Sequence, residues 1–341
     1  MLGLIARSDK TGLGYQTRNL AYMLKPDKIM LIDSTSFNGN KQHPEWYDGF
    51  DVVTIKGFPR EHHCRQFITG LTKLVMCENP YNFALIKLAN EQGIKTFIQY
   101  NWEFLEYHRA GFPRPTNFWS PSYWHLDKMQ SAYPDTIYLP PPSYANDFKT
   151  AREVNFNRSG KRRFLHIIGK AAHADRNGTA SVILAALNSK NDFELVIKSQ
   201  TPIDKRVDDK RIVYEVGDPD DQADLYAGFD AMILPRRYGG LCLPMNEALL
   251  SGLPVIMTDI SPNNRVLPAE WLVPATVIDR FLARTMIDVY EADINVLTAR
   301  IDGLCDLRLE ELNGLKAEAL QIALENYTND RLLPKYEEAL A

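Results

Sequence analysis

RRYGGLCLPMNEALLSGLPVIMTDISPNN, residues 236–264, sets one carboxylate, Glu247, between two glycine-bounded turns and just before an apolar run. DAMILP, immediately upstream, reads as a buried strand ending at Pro235. RRYGGLCL is then a loop, PMNEALLSG a short helix and PVIMTD the next strand. Pro244 suits a first helical position, where an N–H has no intrahelical partner to lose. Gly252 suits the helix stop. This order puts a helix N-terminus at the C-terminal edge of a sheet, where backbone N–H groups and about half a positive charge attract anions. Gly239 and Gly240 let a ligand close on the main chain. Glu247 is expected in the first turn, facing that ligand. A carboxylate repels phosphate but accepts hydrogen bonds from a vicinal diol. The physical reading is a nucleotide, with phosphate on the N–H groups and ribose hydroxyls on Glu247. The competing reading is an acid favoured by a helix first turn and nothing more.

Working outward, short apolar runs alternate with amphipathic ones. In the N-terminal half, strands are predicted at Leu2–Ala6, 28–33, 51–56, through KLVMCEN to Glu78, at 96–100 and within 117–122. Helices are predicted through TRNLAYMLK, from Arg65 to Leu71, and through FALIKLANEQG up to Gly93. Alternation of this kind means βαβ units and a parallel sheet. TIYLPPPSYANDFKTAREVNFNRSGKRR, with three consecutive prolines and then polar and basic residues, reads as a linker. The alternation restarts with FLHIIGK, TASVILAALNS, FELVIKS, RIVYEVG, a short helix in DQADLYAGF, and DAMILP. The end of the chain, from about Leu312, is helical by spacing. The architecture is therefore α/β, with two doubly wound domains facing across a cleft.

The 341 residues suffice for two domains. A net charge of −4 argues against a dedicated nucleic-acid binder, which wants a basic surface. Cys64, Cys77, Cys242 and Cys305 are scattered without a CxxC pair and read as reduced thiols of a cytoplasmic protein. MLGLIARSDK reads as a first strand rather than a signal peptide. No apolar run approaches the ~18–20 residues of a membrane span.

PRRYGGLCLPMNEALLSGLPVI resembles the signature of the retaining GT-B glycosyltransferases of the large family-four group, Pro-Ser-x-x-Glu-Gly-Phe-Gly-Leu-Pro-x-x-Glu-Ala-x-Ala-x-Gly-x-Pro-Val. Pro235, Gly240, Leu243, Pro244, Glu247, Ala248, Gly252, Pro254 and Val255 fall in register. The resemblance implies that Glu247 holds the ribose. It puts Gly239 where the family has an acid on the donor sugar, and hands that contact to a main-chain N–H among Gly240, Leu241 and Cys242. FLHIIGKAAHADRNGT supplies Lys170 and Arg176 where the family holds the diphosphate with two cations, which offset charge on the leaving group. Gly217, with Val216, would meet the base, and Lys198 sits at the end of its own strand. The loop RSDKTGLG, a weak phosphate signal alone, would place Gly12, Gly14 and Lys10 over donor and acceptor. Asn101, Trp102 and Glu103 would face the cleft, with Glu103 touching the donor sugar; Glu78 is a similar candidate.

Three domains follow: residues 1–148 for the acceptor, 149–322 for the donor, and a helix at 323–341 crossing back onto the first. The implied activity is metal-independent, retaining transfer from a UDP- or GDP-type nucleotide sugar to an acceptor hydroxyl, with no cofactor. The chain is also similar to small phage glycosyltransferases, so a hydroxymethylated DNA base, a virion protein or a glycan are the acceptors to weigh. His62-His63 lacks partner spacing for a metal site. A Rossmann-type oxidoreductase is the rival class; TGLGYQT lacks its third glycine, although Asp33 stands at the right place after the second strand. An epimerase, a phosphorylase and a non-catalytic nucleotide-sugar binder are further alternatives.

Overall fold

The computed structural model describes residues 1–105, 111–169 and 175–341. The chain divides into two compact units. One comprises Met1–Ser143, Ala283–Thr285 and Asn329–Ala341; the other comprises Tyr144–Leu282 and Met286–Thr328.

The first unit is built on seven parallel strands: β1 (Leu2–Arg7), β2 (Lys28–Asp33), β3 (Val52–Lys56), β4 (Lys73–Cys77), β5 (Lys95–Gln99), β6 (Asn117–Ser120) and β7 (Ile137–Tyr138). Their order is β3-β2-β1-β4-β5-β6-β7. The central strands are continuous apolar runs because both of their faces are covered. A helix at Gly12–Leu24 follows β1, its N-terminus capped by the Thr11 hydroxyl, which accepts from Gly14 N at 3.3 Å. Asp9, fully buried before this helix, accepts from Thr11, Ser34, Asn38 and Asn40 and pairs with Arg7. A Cβ at Gly14 would lie 1.9 Å from the Asp9 carbonyl oxygen. Close helix–strand packing thus accounts for this glycine without a ligand. Gly14→Ala is expected to cost about 1–3 kcal/mol, read as a lower urea midpoint at unchanged slope.

The last helix, Asn329–Leu340, buries Leu332, Tyr336 and Leu340 in this unit's core. A chain of buried hydrogen bonds fixes it there. Gln16 Nε2 donates to Gln99 Oε1 at 2.7 Å, Gln99 Nε2 to the Tyr336 hydroxyl at 2.6 Å, and that hydroxyl to Pro140 O at 3.0 Å. The tyrosine ring also meets Trp119 edge-on at 5.4 Å.

The second unit has six parallel strands: β8 (Arg162–Gly169), β9 (Phe193–Ser199), β10 (Ile212–Val216), β11 (Ala231–Ile233), β12 (Val255–Thr258) and β13 (Leu272–Val273). They run in the order β10-β9-β8-β11-β12-β13. The antiparallel pair β14 (Ala275–Leu282) and β15 (Met286–Ala292) follows, then helices Ile294–Asp306 and Leu309–Asn326. At the base of β11, fully buried Asp230 accepts from Lys316 Nζ at 3.1 Å, Arg158 Nη1 at 2.5 Å and Arg163 N at 2.9 Å.

Three expectations are corrected. The supposed linker carries β7, a 3-10 turn at Ala145–Phe148 and a helix at Lys149–Phe156. Its polar Asn155 is wholly buried, donating to Tyr226 O and Ser251 O and accepting from Gly228 N and Phe229 N. That one polar side chain is used inside the fold, while its helix neighbours Lys149 and Glu153 face solvent. The helix expected from Arg65 to Leu71 lies at Glu61–Ile68, where Glu61 pairs with Arg65 one turn on. The β14–β15 hairpin and the short β13 were not anticipated.

Candidate functional site

In the second unit the strand order reverses between β8 and β11. Loops leaving the C-terminal ends of such strands diverge and open a crevice between them. Here the loop after β8 ends at Gly178 and the loop after β11 runs from Leu234 to Cys242. They meet directly: Arg237 N donates to Arg176 O at 2.9 Å, and Arg176 Nε to Tyr238 O at 3.3 Å. The Arg176 guanidinium lies over the Tyr238 ring, 5.3 Å from its centre. A Cβ at Gly178 would come within 2.4 Å of Pro235 O.

The loop after β8 is braced from below. Asp175 accepts from Thr179 N at 2.7 Å and Ala180 N at 2.9 Å, occupying the start of the helix Thr179–Asn188. Buried His166, on β8, bridges Ile233 O at 2.8 Å and the Thr179 hydroxyl at 2.9 Å. Burial lowers its pKa, so the ring is neutral and works as a spacer between β11 and this helix. With that N-terminus occupied, the helix after β11 is the one of the two that has no side-chain cap.

That helix spans Leu243–Leu250, with Cys242 as N-cap, Pro244 in its opening turn and Gly252 beyond its end at φ +71°. Glu247 stands in its second turn, not the first as expected; the first turn holds no acid. The side chain is only 6% exposed. Its Oε1 accepts from Gln222 Nε2 at 2.6 Å and its Oε2 from the Tyr226 hydroxyl at 2.5 Å. Burial pushes its pKa up to about 7 against those two hydrogen bonds, with the charge of Asp147 adding to the rise. An ionised carboxylate offers about four lone-pair directions, and two are used by this pair. Gln222 and Tyr226 therefore fix the carboxylate from behind and leave capacity for two further donors. Neither residue is singled out by the sequence; both come from the 3-10 turn Gln222–Leu225 and its cap, which packing alone brings under the helix.

Gly239 has φ +113°, a conformation that favours glycine. A Cβ there would lie 2.1 Å from Arg176 Nη2 and 2.8 Å from Arg236 Nη2. The space beside it is filled by guanidinium groups. Gly240 and Cys242 are buried, Leu241 gives its carbonyl to Arg236 Nη1 at 2.8 Å, and Leu243 starts the helix. Arg236 was not among the residues expected here, though the paired arginines of RRYGG are visible in the sequence.

Other expected residues fall elsewhere. Lys170 lies outside the described residues. Lys198 sends its ammonium to Asp224 O at 3.1 Å and to Glu215 at 3.5 Å, over the Phe229 ring, so it serves the face of the sheet rather than the loop ends. Gly217 closes β10 at φ +125°, its N–H on Ser199 O. Gly12, Gly14, Glu103 and Glu78 belong to the first unit. Gly12 is exposed, and Glu103 sits in a 3-10 turn beside buried Trp102. Glu78 adopts φ +55° directly after β4, an uncommon conformation for an acid. Among the described residues no group of three or more His, Cys, Asp and Glu is placed to hold a metal ion, and no helix is long and apolar enough to cross a membrane.

Residues 156–291 match the family described as Glycosyl transferases group 1. The second unit carries a glycosyltransferase domain. No curated protein matches it, but its fold is shared with many solved structures. Anabaena HepE, solved in complex with UDP and glucose, is 10% identical over 99% of this chain and 98% of its own, with a TM-score of 0.71. A glycosyltransferase from Rickettsia africae is 11% identical over 99% and 97%, with a TM-score of 0.69. Sucrose-phosphate synthase from Thermosynechococcus elongatus is 12% identical over 99% and 97%, with a TM-score of 0.66. At these identities the likeness establishes the fold, GT-B, with two Rossmann-like parallel-sheet domains. The matched segment contains both loops of the switch point and the helix that carries Glu247.

Proposed function

We propose that this glycosyltransferase transfers a sugar, with retention and without a metal, from a UDP- or GDP-linked donor to an acceptor hydroxyl. The observation that carries the reading is the buried carboxylate of Glu247, held by Gln222 and Tyr226 one turn inside a helix that starts between two arginine-bearing loops. The helix N-terminus and Arg176 attract the diphosphate, and Glu247 takes the ribose diol. As the glycosidic bond to the diphosphate breaks, the same positive groups offset the charge that builds on the leaving oxygen. In a front-face displacement the acceptor oxygen attacks from the side the diphosphate leaves, and a phosphate oxygen takes its proton.

A thermal-shift panel of UDP-, GDP- and TDP-sugars tests this reading, followed by nucleotide release with hydroxymethylated DNA, protein or glycan acceptors. The correct donor at a hundredfold excess over its Kd is expected to stabilise the protein by about 2.7 kcal/mol. The anomeric configuration of the product, read by NMR, should equal that of the donor. Stabilisation by a nicotinamide dinucleotide and by no nucleotide sugar would overturn the proposal in favour of the oxidoreductase.

A further inference from the structure

The antiparallel pair β14–β15 joins neither parallel sheet. A two-stranded hairpin is marginal by itself, so it stands on what it packs against. β15 buries Ile287 and Val289, while β14 is exposed over nearly its whole length. The hairpin also grips the loop after β11. Tyr290 N donates to Arg237 O at 3.0 Å, and Arg237 Nε donates to Tyr290 O at 3.1 Å. One residue further along the loop, the Tyr238 ring meets the Phe281 ring edge-on, 5.1 Å between centres and 71° between planes. Phe281 stands opposite buried Ile287 in the pair, so its backbone is anchored. Arg237 is thus held through the main chain of β15, and Tyr238 through an aromatic side chain of β14.

Tyr238 in turn governs how Arg176 lies. Its carbonyl accepts from Arg176 Nε at 3.3 Å, and its ring carries the guanidinium 5.3 Å from the ring centre. The neighbouring main chain closes the contact, with Arg237 N donating to Arg176 O at 2.9 Å. A long arginine side chain samples many rotamers, and ordering it only when a ligand arrives costs affinity. Here a carbonyl, a ring and a main-chain N–H order it beforehand, and all three belong to the residues that the hairpin grips. We infer that the hairpin is a brace for the cation that meets the diphosphate, and that Tyr238, backed by Phe281, is a positioning residue that orients the Arg176 guanidinium. The inference rests on the nucleotide-sugar reading above and adds the residues that aim its cation. If Tyr238 and Phe281 merely held the hairpin down, their loss would lower stability without a selective effect on phosphate.

The test titrates the full chain with a nucleoside and its diphosphate, uridine against UDP and guanosine against GDP. In the series that binds, Tyr238→Leu is expected to weaken the diphosphate about five- to tenfold, the scale of a partly desolvated cation–π contact, and the nucleoside less than about twofold. Tyr238→Phe keeps the ring and should stay within about twofold of the native protein for both ligands, which guards against a variant that simply misfolds. Phe281→Ala should give a smaller loss of the same kind, about threefold, on the diphosphate alone. Arg176→Gln should itself weaken the diphosphate, and adding Tyr238→Leu to it should cost less than about twofold more. Equal losses for nucleoside and diphosphate, or full additivity of Tyr238→Leu with Arg176→Gln, would overturn the inference and leave Tyr238 a packing residue. A Tyr238→Leu protein that binds the diphosphate as the native one does overturns it too, as does an Arg176→Gln protein that does so. Failure of every nucleoside diphosphate to bind the native protein would fall on the nucleotide-sugar reading itself.

Discussion

Glu247→Gln is expected to weaken binding of the donor nucleotide about 100-fold at pH 8, on the scale of two hydrogen bonds to a charged acceptor at roughly 1.5–3 kcal/mol each, partly kept by the amide oxygen. The same change should make the protein more stable. The folded carboxylate has its pKa raised to about 7 by burial, so its ionisation opposes folding. The sign follows from the direction of the shift. Below the ordinary carboxylate range both folded and unfolded states are neutral, and no penalty exists. Between the ordinary carboxylate value of 4.5 and about 7 the unfolded chain ionises while the folded side chain stays protonated, so the penalty builds across that window and is complete above about 7. The penalty at pH 8 is about 3 kcal/mol by the pKa difference. Glutamine removes it and keeps the local bonds, its oxygen accepting from Gln222 and its amide donating to Tyr226. Urea unfolding should therefore show the variant gaining on the native protein from pH 5 to pH 8.

Binding should run the other way. Only the ionised carboxylate accepts from both ribose hydroxyls, so native affinity should fall about tenfold per pH unit below 7, while the variant stays flat. Calorimetry between pH 5.5 and 8.5 reads both curves. Stability surrendered at a binding residue is the usual trade between folding and function.

Asp230→Ala is expected to cost about 3–5 kcal/mol, because it strands a buried charge rather than merely deleting a contact. Lys316 is fully buried, and its Nζ is held by Asp230 Oδ1 and by Asn155 O at 2.7 Å. Desolvation already lowers the lysine pKa against the attraction of Asp230. Removing the acid leaves Lys316 and Arg158 without their partner. The double variant Asp230→Ala, Lys316→Met should recover part of the loss, since it removes the fully buried one of the two stranded cations and leaves the partly exposed Arg158 to reach solvent. A urea series on native, single and double variants measures the coupling.

The alternation of apolar runs gave the parallel sheets because buried strands need continuous apolar sequence, and strands such as Lys28–Asp33 and Phe193–Ser199 run as read. Glycine and proline punctuation around residues 239–254 placed the helix of the site. Elements outside that logic were missed. Asn155 and its helix looked like linker because a buried polar side chain is spelled the same as a solvated one. The hairpin Ala275–Ala292 carries apolar and charged residues without clear alternation, and its first strand is largely exposed. At the site, Glu247 was legible from its helix and motif. Gln222, Tyr226 and Arg236 were not, because their roles arise from contacts across loops that sequence spacing does not encode. Lys198, at the end of its strand, turns its ammonium to Asp224 O and Glu215, a choice that its place in the sequence does not encode.

The most direct measurement is a calorimetric cycle of the accepted nucleoside diphosphate and its 2′,3′-dideoxy analogue against native protein and Glu247→Gln at pH 8. If Glu247 grips the ribose diol, the analogue binds native protein at least about 100-fold more weakly than the parent, and that gap shrinks to about tenfold or less in the variant. Equal affinity of parent and analogue for the native protein would contradict that role.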